Sequence, residues 1–208
     1  MGKSSSVYLV LLVLFFSLSI VFGYLYLKYE KKYEEIVAKS ENIRRENDRY
    51  KEIISKSEYY TKMARVVWGE RAGRCDAGLI IKIEKYINQI DTTLNVDMVL
   101  SLIVVESGFN QYIISSANAY GLMQLLFSTA KLHDSTLVKP EELFDEDRNI
   151  ILGIKELSRL NKMFSGNKEL VLAAYLYGYN GTLARIKNGN LEKWYQTKII
   201  RIMKVTPS

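Results

Sequence analysis

The segment that most restricts what this chain can fold into is residues 7–26, an apolar run without a charged side chain. About 20 such residues form a helix long enough to cross the hydrocarbon core of a membrane. The segment therefore predicts a single-pass membrane anchor over residues 1–27. A cleaved signal peptide is the alternative, because residues 21–23 form an acceptable cleavage site.

Positive charges on both sides of this segment bear on its orientation. Lys3 precedes it, whereas Lys28, Lys31 and Lys32 follow it. Because positively charged flanks tend to stay in the cytoplasm, this count favours a cytoplasmic C-terminal part. The motifs described below require the opposite orientation, and we give them precedence.

Residues 28–76 are predicted to form a charged helical stalk. Residues 28–60 contain neither Gly nor Pro, and Ser40, Asn47 and Ser57 interrupt an apolar stripe with a seven-residue spacing. The stripe comprises Tyr29, Tyr33, Ile36, Ile43, Tyr50 and Ile54. Such a stripe favours a coiled coil, in which polar core positions can fix the register. A homodimer through the stalk and a solvated helical spacer both stay open.

Residues 77–208 are predicted to form one mainly α-helical domain. Apolar residues recur at helical spacing over residues 79–90, cover nearly all faces of residues 97–105, and return in residues 171–179. Residues 191–205 are amphipathic and basic. With two prolines in the chain and no sustained alternation, the pattern predicts helices around a buried central helix at 97–105.

Charge and composition exclude several classes of function. The net charge of +6 suggests an anionic partner, but the basic residues are dispersed among acids, so a nucleic-acid partner is not predicted. Cys75 is the only cysteine, which excludes an intrachain disulfide and a cysteine-based zinc cluster. His133, the only histidine, lies in a polar stretch and is predicted in a solvated loop or at a helix end. No metal or organic cofactor is predicted.

Glu106 is the acid that the sequence singles out. It follows the apolar residues Val99, Leu100 and 102–105, with Asn95 as a candidate N-cap and Gly108 as a natural stop. Apolar neighbours and the negative end of a helix both penalise a carboxylate, so the pKa of Glu106 should be raised. A carboxyl group that is protonated near neutrality can serve as a general acid.

Four motifs in order resemble the catalytic domain of the soluble-lytic-transglycosylase type. They are residues 106–110 (ESGFN); Ser115 with Ala119, residues 121–124 (GLMQ) and 129–130; residues 143–145 and 149–150 with Gly153; and residues 172–175 with Gly178. Tyr195 suits the closing segment of the family. The resemblance covers residues 79–205, the whole predicted globular part.

The resemblance implies a lysozyme-like helical fold with a glycan groove and a single catalytic carboxyl group, carried here by Glu106. It implies cleavage of peptidoglycan between N-acetylmuramic acid and N-acetylglucosamine, with closure of a 1,6-anhydro ring and no second carboxylate. The substrate N-acetyl group would stabilise positive charge at C1. Since peptidoglycan lies outside the cytoplasmic membrane, the domain is expected on the extracytoplasmic side.

The matched positions around Glu106 take supporting roles in the resemblance. Ser115 would bond near Glu106 or the substrate N-acetyl group, and Gln124 would contact sugar in the groove. Met123 is a further substrate-binding candidate, although packing beneath the site is its favoured role. Tyr175 would face the carboxyl group or a sugar, with a core aromatic as the competing interpretation.

Several positions depart from the family pattern. Leu176 and Tyr177 replace an Asn and an Ala of the fourth motif, and Asn180 could substitute only with a shifted backbone. Asn118, Phe127 and Glu156 stand where Gly, Pro and Tyr are usual. The fourth-motif changes could alter subsite preference or lower the rate.

Two other functions stay open at this level. A hydrolytic muramidase of the goose-lysozyme type would need a carboxylate that positions water, for which Asp134, Asp145 and Asp147 are candidates. A degenerate domain could instead bind glycan as a scaffold, with the stalk recruiting partners.

Overall fold

The computed structural model describes residues 3–204 and is mainly α-helical, as predicted. The helices are α1 Lys3–Trp68, α2 Ala77–Ile90, α3 Val96–Glu106, α4 Phe127–His133, α5 Glu146–Met163, α6 Lys168–Tyr177, α7 Tyr179–Lys187 and α8 Trp194–Lys204. Short 3₁₀ helices lie at Gly69–Arg71 and Pro140–Phe144, and β1 Ala119–Tyr120 pairs antiparallel with β2 Leu125–Leu126. The chain divides into two compact units, Met1–Lys51 and Glu52–Ser208.

The first unit is helical, and its side chains from residue 7 onwards are exposed. Its most apolar stretch of 18 residues has a mean hydropathy of 2.5, and none of that stretch is buried. The helix is therefore long and apolar enough to cross a membrane. The predicted helix over residues 28–60 is confirmed. On the predicted stripe, Tyr29 is 77% exposed and Ile43 is 50% exposed. The coiled coil stays a prediction.

The second unit is built around α3, which confirms the predicted central helix. Val99, Leu100, Leu102, Ile103 and Val104 are all fully buried. Each such side chain contributes roughly 1.5–3 kcal/mol of burial free energy. α2 and α8 pack directly on α3, while α5 and α6 continue the layer. The helix begins at the predicted cap, where the Asn95 side chain accepts a hydrogen bond of 2.7 Å from the backbone N–H of Asp97.

The second unit begins at Glu52, so the last turns of α1 belong to it. Tyr60 and Ala64 are fully buried, and the Tyr60 hydroxyl donates to Asp97 Oδ1 at 3.1 Å. Gly73 is required for packing, because a Cβ there would lie 2.0 Å from the carbonyl oxygen of Phe109. The buried face of these turns is short and lies within a charged sequence.

Candidate active site

Glu106 is the last residue of α3, and its side chain is half-buried at the end of a helix whose residues 98–104 are buried. Ser107 ends the helix, and Gly108 follows with a φ of +57°, a left-handed conformation that favours glycine. The sequence order of a buried helix, an acid and a glycine therefore places one carboxyl group where the core meets the surface.

Burial raises the pKa of Glu106 from its ordinary 4.5 to about 7. The hydrogen bond from Tyr195 and the positive charge of Lys198 act in the opposite direction, because both favour the carboxylate. Burial is the larger effect. The upward direction agrees with the sequence-based expectation, and a carboxyl group with this pKa can both give and take a proton near neutrality.

Tyr195 is the partner of this carboxyl group that the sequence did not assign to the site. It lies on α8 with 2% of its surface exposed, and its hydroxyl donates to Glu106 Oε1. Burial and the nearby charge of Glu106 hold the pKa of Tyr195 well above its usual range, so the phenol keeps its proton. The sequence signals for Tyr195 are its match to the closing segment of the family and its place in an amphipathic helix, where a buried hydroxyl needs a partner.

Tyr175 lies close enough to Glu106 for the two groups to interact electrostatically. Burial and then the charge of Glu106 raise the pKa of Tyr175 well above its usual range. Its hydroxyl, however, donates to the carbonyl oxygen of Met123 at 2.8 Å. Tyr175 therefore joins α6 to the backbone beneath the site, while Tyr195 holds the carboxyl group itself.

Met123 packs beneath the site and offers no surface to a ligand. Its side chain is fully buried, and a Cβ on Gly153 would lie 2.2 Å from its sulfur. Its backbone N–H donates to Asn149 Oδ1 at 2.8 Å. The geometry thus corrects its place among the substrate-binding candidates, because the side chain fills the interior between α5 and the hairpin.

Ser115 and Gln124 shape the loop that carries β1 and β2. The Ser115 hydroxyl oxygen accepts from the backbone N–H groups of Ala117 and Ala119, at 3.3 and 3.1 Å. Gln124, with a φ of +48°, donates through Nε2 to the carbonyl oxygens of Ile113 and Gly121. No described residue donates a hydrogen bond to Gln124 Oε1, and its contact with sugar stays a prediction.

The end of α3 is held by side chains from other segments. The last carbonyl groups of a helix lack partners within it. Trp68 Nε1 donates to the Val104 carbonyl oxygen at 2.8 Å, and a Cβ on Gly108 would lie 2.5 Å from the Trp68 ring. Ser107 Oγ donates to the Leu122 carbonyl oxygen at 2.7 Å. Trp68 was not identified from the sequence, because it was assigned to the stalk.

The three aspartates proposed for water activation have structural partners. Asp134 Oδ1 accepts from the hydroxyl and the backbone N–H of Thr136. Asp145 caps α5 by accepting from the backbone N–H of Arg148 at 2.8 Å. Asp147 Oδ1 lies 3.0 Å from Lys82 Nζ. Within residues 3–204, no hydrogen bond joins any of the three to Glu106.

His133 ends α4, as predicted, but it is not solvated. Its Nε2 lies 2.8 Å from Oε2 of Glu156, which is 6% exposed and also receives two hydrogen bonds from Arg159. Although burial opposes ionisation, the bonds from Arg159 and His133 lower the pKa of Glu156. The acid that replaces the usual Tyr is thus an ion-paired structural residue.

The departures in the fourth motif lie at the end of α6. Leu176 is 36% exposed, and the Arg185 guanidinium lies 4.0 Å from the ring centre of Tyr177. Gly178, at a φ of +71°, ends the helix, and Asn180 is exposed on α7. Across residues 3–204, no group of three or more His, Cys, Asp or Glu side chains could hold a metal ion.

These features define a helical domain with a half-buried acid at the end of its central helix, backed by the buried Tyr195 and the partly buried Tyr175. The family model of the transglycosylase SLT domain matches residues 85–197, and the chain belongs to this family. The predicted lysozyme-like helical class is confirmed by a solved structure of an inactive mutant of the lytic transglycosylase Slt from Pseudomonas aeruginosa. That structure has a TM-score of 0.54 and 23% identity, over 59% of this chain and 23% of that one.

Two curated relatives are similar over about half of this chain. A Haemophilus influenzae protein named "Putative soluble lytic murein transglycosylase" is 39% identical over 102 residues, which are 46% of this chain and 17% of that protein. The membrane-bound lytic murein transglycosylase D of Escherichia coli is 34% identical over 98 residues, 45% of this chain and 21% of that protein. The chain therefore spans about a fifth of the length of these relatives.

Proposed function

We propose that this chain is a peptidoglycan lytic transglycosylase in which Glu106 is the catalytic acid and base. The observation that carries the proposal is one half-buried carboxyl group, with a pKa of about 7, at the end of the buried helix α3. Membership of the transglycosylase SLT domain family and the names of the relatives support the substrate class.

The chemistry needs one carboxyl group in two protonation states. Protonated Glu106 gives its proton to the oxygen that joins N-acetylmuramic acid to N-acetylglucosamine, and the bond from that oxygen to C1 breaks. The C6 hydroxyl of the muramic acid then bonds to C1 and gives its proton to the Glu106 carboxylate. The glycan leaves with a 1,6-anhydro end, and Glu106 regains its initial proton. No water is consumed.

Tyr195 has a defined role in this scheme. Its hydrogen bond favours the carboxylate, which must form when the leaving oxygen takes the proton. Burial disfavours the same carboxylate and keeps the starting proton in place. The opposition of these two effects holds the pKa of Glu106 near 7, where the acid and base forms are both accessible.

Two observations weigh against the alternative functions. A hydrolytic muramidase needs a free carboxylate to orient water, and Asp134, Asp145 and Asp147 all bond to their own neighbours. A glycan-binding scaffold needs no acid with a raised pKa, and burying a carboxyl group without use would only cost stability.

The test is the release of soluble fragments from purified peptidoglycan by the full chain in detergent. Glu106→Gln should abolish release, because the amide cannot transfer the proton. Glu141→Gln is the matched control, since Glu141 is exposed on the 3₁₀ helix Pro140–Phe144. Unchanged release by Glu106→Gln would remove the catalytic assignment.

We further propose that residues 7–26 anchor the chain in the cytoplasmic membrane, with the family domain on the extracytoplasmic side. The exposed apolar helix supports the anchor, and the location of peptidoglycan supports the orientation. Cys75 cannot report orientation, because it is 1% exposed and burial, with the charge of Asp76, raises the pKa of its thiol to about 12. Asn190→Cys is exposed, and a membrane-impermeant thiol reagent should label it in intact cells. Labelling only after membrane disruption would reverse the orientation.

A further inference from the structure

A groove lies between the last turns of α1 and the length of α8, within the second unit. It has a volume of about 530 Å³. Its apolar lining comes from Met63, Val66 and Val67 on α1 and from Trp194 and Ile202 on α8. Val66 is 73% exposed and Trp194 is 56% exposed, so a sizeable apolar surface faces solvent here. Exposed apolar surface of this kind, bordered by polar groups, is typical of a binding site.

One end of the groove lies next to the proposed catalytic carboxyl group. Trp194 precedes Tyr195, whose hydroxyl bonds to Glu106, and the two rings are 5.7 Å apart. Lys198, which also lines the groove, is close enough to Glu106 to lower its pKa. The other end is marked by Tyr59, whose hydroxyl donates to the Ile202 carbonyl oxygen at 2.8 Å. The groove therefore leads away from Glu106 along α8.

The polar lining of the groove is cationic. Lys193, Lys198 and Arg201 line it, and none of the described residues in its lining is acidic. Lys193 lies 3.5 Å from Glu169, an exposed pair of little strength. Neither Lys198 nor Arg201 forms an ion pair with another residue of the described part of the chain. Lys198 faces the charge of Glu106, whereas Arg201 has no acidic partner among the described residues. Positive charge over an apolar floor selects a ligand that is both anionic and partly apolar.

We propose that this groove binds the peptide that branches from the glycan strand, through the carboxylates of that peptide. The proposal rests on the proposed function, because it requires peptidoglycan as the substrate. Each muramic acid of that polymer bears a short peptide with methyl side chains and free carboxylates. Methyl groups would lie on Met63 and Val66, and carboxylates would pair with Lys198 and Arg201. A muramic acid at Glu106 would hold its peptide near the Trp194 end.

The experiment compares two ligands for the full chain in detergent. The Glu106→Gln variant is used because it binds strands without cutting them. Its affinity is measured for soluble glycan strands that carry peptides and for strands from which an amidase has removed the peptides. We expect the peptide-bearing strands to bind about tenfold more tightly, the size of one charge-assisted contact pair. Equal affinity for the two ligands would overturn the proposal.

Substitutions at Arg201 test whether the preference for peptide-bearing strands arises in the groove. In the Glu106→Gln background, Arg201→Glu should abolish the preference for peptide-bearing strands, Arg201→Gln should reduce it, and both should leave affinity for peptide-free strands unchanged. Lys187→Glu makes the same charge change on the exposed face of α7, outside the groove, and should keep the preference. An equal loss with Lys187→Glu would mean a general charge effect and overturn the proposal. So would a change in sedimentation with Arg201→Glu, since a second copy of the chain would then fill the groove.

Failure of this inference and failure of the proposed function are separable. If the unsubstituted chain releases fragments but shows no peptide preference in binding, only the groove assignment is wrong. If it releases nothing, the proposed function is wrong, whichever strands the groove binds.

Discussion

The hydroxyl of Tyr195 donates a hydrogen bond to Oε1 of Glu106 across a sequence separation of 89 residues. The two residues come from α8 and α3, which pack against each other along the core. The bond stabilises the carboxylate that burial destabilises, so this one contact helps to set the pKa on which the proposed chemistry depends.

Tyr195→Phe removes the hydroxyl and leaves the ring. A hydrogen bond to a charged group is worth about 1.5–3 kcal/mol, so the pKa of Glu106 should rise by about one to two units. Because the reaction starts from protonated Glu106, the alkaline limb of the pH–rate profile should move to higher pH. Tyr175→Phe is the control, since its hydroxyl bonds to Met123, and its limb should stay in place. If the alkaline limb of the Tyr195→Phe profile stayed at the same pH or moved to lower pH, the role assigned to Tyr195 would be contradicted.

Glu106→Gln should stabilise the fold at alkaline pH. The folded-state pKa is raised from 4.5 to about 7, so the native acid contributes stability that is complete below pH 4.5 and lost as pH rises through 7. At about 1.4 kcal/mol per pKa unit, the difference between these two pKa values corresponds to roughly 3 kcal/mol in the free energy of unfolding. The free energy of unfolding of Glu106→Gln should therefore exceed that of the native chain above pH 8 and approach it at pH 4. Urea titrations at both pH values measure this, and a pH-independent difference would refute a raised pKa.

Trp68→Phe should slow cleavage by more than its small loss of folding stability can explain. It removes the donor to the Val104 carbonyl group, which lies two residues before Glu106, at a cost of about 1 kcal/mol. A displaced helix end should slow cleavage about tenfold. Thr61→Val loses a similar bond from α1, to the Cys75 carbonyl oxygen outside the groove, and should cost similar stability with little loss of rate. Equal rates for the two variants would show that Trp68 only stabilises the fold.

The stalk dimer predicts a position-specific disulfide. Ile43 lies on the exposed stripe, and Arg45 lies on the opposite side of the helix. Under mild oxidation of membranes, Ile43→Cys should form a cross-linked dimer and Arg45→Cys should not. The buried Cys75 gives little background. Equal or absent cross-linking would favour the solvated spacer.

Features that depend on neighbouring residues could be predicted from the sequence. The buried helix, its Asn95 cap and the acid at its end follow from apolar periodicity and capping chemistry within a dozen residues. The raised pKa of Glu106 followed for the same reason, because its apolar neighbours are also its neighbours in the chain.

Features that depend on tertiary packing could not be predicted from the sequence. Tyr195 meets Glu106 only because α8 packs on α3, and nothing in the sequence of α8 indicates which acid its tyrosine would contact. Trp68 was hidden in a charged helix whose last turns bury one face. His133 looked solvated because its partner, Glu156, is 23 residues away.

The measurement that tests the central claim most directly is the mass of the fragments that the full chain releases from purified peptidoglycan. If Glu106 passes its proton between the leaving oxygen and the C6 hydroxyl, the fragments end in 1,6-anhydro-muramic acid and are one water lighter than reducing fragments. Fragments with reducing ends would contradict the account, because water would then have taken the place of the C6 hydroxyl.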